Sequence, residues 1–211
     1  MKSFVALSFL VLGSSGSFAA PVEQENRSSA TIVGEARNVL APLQFVKFCM
    51  NYPTECEART GEEVALPLDE ALAALAEVNA RVNRSIAPMV KSNEPLVARW
   101  TIGPAAGDCN DYAVTKRHEL LAKGWPSSAL RLAVVFAPEG GHLVLVARVK
   151  DGDYVLDNLS QTVRPWNETS YAWVSIESTA NPKFWVAVDG KGQKGSAQKD
   201  RKSTRLNSSH I

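Results

Sequence analysis

The chain has 211 residues, 45% of them hydrophobic and 21% charged. That mixture is too apolar for a disordered chain, and 13 Gly are too few for a collagen-like one. The length suits one sizeable domain. The formal charge of +1 hides an uneven distribution: residues 20–188 carry 16 basic against 20 acidic side chains, while 189–211 add six basic ones. The body lacks the basic stripe that nucleic-acid binding needs.

Residues 1–19 read as a secretory signal. Lys2 supplies the positive start, Phe4–Leu12 the apolar run, and Ser17-Phe18-Ala19 the small residues of a cleavage site. A run of nine residues is too short to span a bilayer, and no later apolar run nears the length of a span. Residues 20–40 follow as a flexible lead, although Ile32–Met50 is expected to contain a short helix and a turn. The expected domain covers 41–188. Residues 189–211, rich in Gly, Lys and Ser, cannot bury enough surface to offset their ordering entropy and read as a disordered tail. Its end, RKSTRLNSSHI, resembles added adapter sequence.

The segment FCMNYPTEC holds Cys49 and Cys56, and six intervening residues make a loop short enough to close. An exported protein meets an oxidising compartment, so a Cys49–Cys56 disulfide is expected. Cys109 is then the odd thiol. Next along the chain, Leu68, Leu72, Leu75, Val82 and Ile86 recur at helical spacing, so a helix is expected over 69–86, stopped by Pro88. Ser92–Gly107 is a Pro- and Gly-rich loop around Trp100. A second helix is expected over 108–123, with Gly124 just past its end.

Strands follow at 130–136, 142–150, 154–157, 171–178 and 184–188, punctuated by turns at 138–141 and 151–153. Helices first and an antiparallel meander afterwards define an α+β fold.

Cys109 falls at the start of the second helix, where the partial positive charge of the helix N-terminus favours a thiolate. A nucleophilic Cys needs a base, and His is the usual one. Of three His, His210 lies in the tail. His118 lies nine residues beyond Cys109, about 13 Å along the helix and on its opposite face. It reads as a solvated position. His142, opening a strand after a glycine turn, remains. Asp157, at the end of the next strand, is the group to orient it. Strand register leaves a gap of about 7–13 Å between them, of a size that strand twist or a bulge can close. Trp100 reads equally as a wall of the cleft or a core aromatic.

GDCNDYAVTKRHELLAKGWPSSALRLAVV, GHLVLVARV and GDYVLDNLSQTVRPW resemble the bacterial transglutaminase-like cysteine proteinases. FCMNYPTEC and VNARVN also resemble that family's N-terminal part. The resemblance covers about Ala41–Val188. It implies a papain/transglutaminase-like core, with N-terminal helices packed on an antiparallel sheet. It also implies a Cys109–His142–Asp157 triad that cleaves peptide bonds through a thioester acyl-enzyme. Family members include a periplasmic protease that releases large adhesins from the outer membrane. The implied setting is therefore periplasmic or secreted, the implied substrate a periplasmic or cell-surface protein, and an inner-membrane regulatory receptor follows by analogy.

The chemistry requires no cofactor. The resemblance does imply calcium, held by acids around the Cys. Asp108 and Asp111 match that pattern, while Asn110 stands where relatives carry Glu and offers a carbonyl with one charge fewer. The two acids equally suit a helix's first turn, where they complement the dipole. Two other readings compete with the peptidase: a non-catalytic binding module of the same fold, and an amide-transferring transglutaminase. A zinc site from Cys109, His142 and Asp157 is disfavoured, since no two of these residues are closely spaced.

Overall fold

The computed structural model describes residues 32–58, 66–91 and 98–190. The segments expected as a signal (1–19), as the first part of the lead (20–31) and as the tail from 191 onward with His210, and residues 92–97 of the expected Pro- and Gly-rich loop, lie outside the described residues.

Among the described residues, three α-helices precede or flank a seven-stranded antiparallel sheet. In chain order the elements are β1 (Gly34–Val39), α1 (Leu43–Asn51), α2 (Leu68–Ser85), β2 (Ala87–Pro88), β3 (Ala106–Gly107), α3 (Cys109–Ala122), β4 (Leu130–Ala137), β5 (Gly140–Val149), β6 (Gly152–Leu156), β7 (Arg164–Pro165), β8 (Ala172–Glu177) and β9 (Trp185–Asp189). The sheet order is β1-β9-β8-β4-β5-β6-β7, and β2 pairs with β3 as a separate two-stranded ribbon. The fold is α+β, as the order of elements predicts. The two long helices and the five main strands fall within one residue of their expected bounds, except that β5 and β6 begin two residues early.

Three features depart from the expectations. Gly34–Val39 belongs to the segment read as a flexible lead, yet it forms an edge strand on β9. Its sequence, GEARNV, has no alternating apolar pattern because most of it is exposed. The backbone of β9 recruits it instead. Asp189, expected in the tail, is the partner of Gly34. Nor is the sheet a simple meander: after β7 the chain crosses to the far side of β4, so β4 lies between β5 and β8.

The alternation along the central strands explains why the sheet is buried on both faces. Leu130, Leu132, Leu143, Leu145 and Ala147 meet the helices, packing with Leu75, Val78, Val82, Val114 and Leu120. The intervening Ala133, Val135, Val144 and Val146 face a second cluster, closed by Trp166, Ile176 and Val33. A period of two places successive side chains on opposite faces.

Cys49 and Cys56 are joined by a disulfide, as expected. It ties the end of α1 to the short 3-10 turn Pro53–Cys56. Gly124 ends α3 with φ +89, a conformation that side chains with a Cβ rarely adopt.

Candidate active site

Cys109 is the first residue of α3, and Asp108 caps it. Asp108 Oδ1 accepts from the Asn110 N–H at 3.1 Å, and Asp111 Oδ2 accepts from the Asp108 N–H at 2.9 Å. This reciprocal box satisfies donors that a helix start otherwise leaves open. Gly107 is required beside it, because a Cβ there would lie 2.3 Å from Asp111 Oδ2. Asp111 also accepts from the Thr101 N–H at 2.8 Å, which fixes the chain next to Trp100.

His142 is the third residue of β5, just past the tight turn that joins β4 to β5. Leu145 pairs with Leu156, so by continuation Asp157 falls opposite Val144. This is one of the two registers expected. The offset of two residues is spanned by the side chains themselves: His142 Nε2 lies 2.8 Å from Asp157 Oδ1. Neither a bulge nor a strand shift is needed to bring them together.

Burial alone pushes the His142 ring toward its neutral form. Hydrogen bonds to Asp157 and Cys109, with the negative charge on both, outweigh it and raise the pKa to about 9. With Nε2 engaged by Asp157, Nδ1 is the ring nitrogen left for Cys109. Burial likewise pushes the Asp157 carboxyl up, but hydrogen bonds from His142 and Tyr171 reverse this and hold it below the usual range.

Several residues to which the sequence assigns no role position Asp157. Asn79 and Asn83, one turn apart on α2, clamp its backbone. The Asp157 N–H donates to Asn79 Oδ1 at 3.0 Å, and Asn83 Nδ2 donates to the Asp157 carbonyl at 2.9 Å. Asn79 also holds the Ser160 carbonyl. Two Asn four apart, on a helix whose stripe is otherwise Leu75, Val78 and Val82, were the available signal. Tyr171, just before β8, donates its hydroxyl to Asp157 Oδ2 and stacks obliquely 5.8 Å from the His142 ring. No sequence pattern linked it to the site.

A cleft of about 720 Å³ opens over these groups, lined by Cys109, His142, Trp100, Met89, Glu139 and Asn158 among others. Trp100 is both wall and core: it lines the cleft while packing on Phe45 and Phe48. His118 stays away from Cys109, as expected, but is paired with Glu55 Oε1 at 2.7 Å rather than simply solvated.

Asp108, Asn110 and Asp111 do lie together, yet they do not fit a calcium ion as they stand. Calcium takes six to eight oxygens. Asp111 is fully buried, and its two oxygens are engaged by two backbone N–H groups and the Lys91 ammonium. One oxygen of Asp108 serves the helix cap.

A Cys at a helix start and an Asp-held His thus sit on a helix-covered antiparallel sheet. The profile of the bacterial transglutaminase-like cysteine proteinase family (BTLCP) matches residues 35–193. The chain belongs to that family. Among solved structures, calcium-bound LapG of Legionella pneumophila is similar at 19% identity and a TM-score of 0.45, over 71% of this chain and 82% of that one. The EGTA-treated form of LapG gives 17% identity and a TM-score of 0.46, over 74% and 87%. A search of curated proteins gives no match.

Proposed function

We propose that this chain is an exported cysteine peptidase in which Cys109, His142 and Asp157 carry the reaction. One observation supports the reading above others. A buried His is hydrogen-bonded to a carboxylate and lies close enough to a helix-start Cys for that thiol to help raise its pKa, and both the His and the Cys line one cleft.

In this reading His142 holds the proton of Cys109, leaving a thiolate. The sulfur attacks the carbonyl carbon of a peptide bond. The N–H groups of Asn110, Asp111 and Tyr112 are already bonded to Asp108, so the Cys109 N–H is the helix-start donor assigned to the oxyanion. His142 gives its proton to the leaving amine, and the C–N bond breaks to leave a thioester. Water, losing a proton to His142, then releases the acid and restores the thiol. Asp157 keeps the ring in the tautomer with Nε2–H, so that Nδ1 does the chemistry.

The Cys49–Cys56 disulfide supports an oxidising, periplasmic or secreted setting. Among the described residues no helix is long and apolar enough to cross a membrane. A periplasmic or cell-surface protein, an adhesin in particular, is the substrate class the family resemblance offers, with an inner-membrane receptor as regulator by analogy.

The test is alkylation of Cys109 by iodoacetamide across pH, mapped by mass spectrometry, in wild type and His142→Ala. Fast modification at neutral and mildly acidic pH, lost in the variant, is expected. An ordinary thiol profile that ignores the substitution would leave a non-catalytic binding module. Release of the acyl-enzyme by a primary amine in preference to water would make it a transglutaminase.

A further inference from the structure

The Asp111 carboxylate is saturated. Oδ1 accepts from the Thr101 N–H at 2.8 Å and from Lys91 Nζ at 2.7 Å. Oδ2 accepts from the Asp108 N–H at 2.9 Å and lies 2.6 Å from the same ammonium. A carboxylate offers about four lone-pair sites, and all are in use. Lys91 Nζ donates in addition to the Arg99 carbonyl at 2.9 Å. The ammonium thus sits among carboxylate and carbonyl oxygens, the hard donors a divalent cation seeks.

Its position has structural consequences. Lys91 follows β2 in the connection that leads to β3, Arg99 precedes Trp100, and Asp111 lies in the first turn of α3. One cation therefore ties three chain segments at the rim of the cleft. Burial and the Asp111 charge push the Asp108 carboxyl above its usual range, and the Lys91 charge opposes them. A buried carboxylate left without a cation would carry a large desolvation cost.

We propose that the Lys91 ammonium is the resident cation of this helix start, standing where a divalent ion would bind. The chain is thereby independent of calcium. As a covalently attached cation it cannot be removed by a chelator, so the site is permanently assembled rather than switched by metal supply. The proposal concerns the site where peptidase chemistry is assigned, and only its functional consequence rests on that reading.

The experiment titrates calcium into the mature protein by calorimetry. It then compares thermal unfolding in EGTA and in calcium chloride, for wild type, Lys91→Met and Lys91→Gln. Wild type is expected to show no binding heat at millimolar calcium and a midpoint that agrees between the two media within about 1 °C. Both variants are expected to melt lower in EGTA and to regain about 3 °C or more with calcium. The alkylation rate of Cys109 in wild type is expected to ignore EGTA.

Stoichiometric calcium binding by wild type overturns the proposal. So do variants that calcium leaves unchanged, or that fail to fold even when calcium is present. Calorimetry and melting need no turnover, so they stand whether or not Cys109 proves nucleophilic.

Discussion

The hydroxyl of Tyr171 donates to the one oxygen of Asp157 that His142 leaves free. Each carboxylate oxygen therefore has its own partner, and the Leu159 N–H adds a further bond to Oδ1 at 3.0 Å. Three donors from three parts of the chain hold one buried acid ionised. Tyr171→Phe keeps the ring beside His142 and removes only the donor. The alkylation rate of Cys109 is expected to fall roughly tenfold, the size of one charge-assisted hydrogen bond. The acidic limb of its pH profile should move up, because Tyr171 lowers the Asp157 pKa. A changed rate with an unmoved acidic limb would assign Tyr171 to packing alone.

His142 gives a pH dependence with a definite sign. Its pKa rises from 6.5 to about 9 in the folded chain, against burial, through Asp157 and Cys109. A raised value contributes stability that is fully present below 6.5 and is lost as pH rises through about 9. Asp157→Asn removes the charge and weakens the acceptor, so the basic limb of Cys109 alkylation should shift to lower pH. Denaturant melts from pH 6 to 10 should show the fall in stability moving down with it. Identical basic limbs in the two proteins would separate Asp157 from His142.

Lys116 acts in the opposite direction. It lies on α3, fully buried, its ammonium 5.9 Å from the Tyr112 ring centroid and without a hydrogen-bond partner among the described residues. Burial lowers its pKa to about 7, against the pull of Asp157. The unfolded chain binds this proton more tightly, so the group costs stability below pH 7 and the cost fades as pH rises toward 10.5. Lys116→Met is expected to stabilise the fold at pH 7 by about 1–3 kcal/mol. It should also steepen the loss of stability between pH 7 and 9, where His142 then acts unopposed. A destabilised variant at pH 7 would show that the ammonium has a stabilising partner in solution.

The Cys49–Cys56 bridge closes a short loop, with a sequence separation of 7. The entropy of closing so short a loop corresponds to about 2 kcal/mol. Cys49→Ser with Cys56→Ser should lower unfolding stability by about that amount, read from denaturant midpoints. Because Arg117 donates to the Glu55 carbonyl within the same turn, the loop is expected to stay in place. Loss of all cooperative unfolding would mean the bridge, rather than this contact, builds the turn.

Much of the site was legible as types and order. The apolar spacing over 68–86, Gly124, the β-branched runs and the turn signals fix local structure, and local structure places Cys109 at a helix start and His142 at a strand start. Elimination among three His needed nothing more. These features depend on neighbours within a few residues, which is the range over which propensity, capping and alternation act. Packing decided the rest. Gly34–Val39 is a strand only because β9 offers a free edge. Asp157 reaches His142 because two side chains bridge a two-residue offset in register. Asn79, Asn83 and Tyr171 converge on that acid from α2 and from the approach to β8, and Lys91 meets Asp111 across a folded rim. A hydrogen bond between residues 14 to 78 positions apart leaves no periodic mark in the sequence. It is set by the tertiary arrangement that brings the two groups together and removes water from between them.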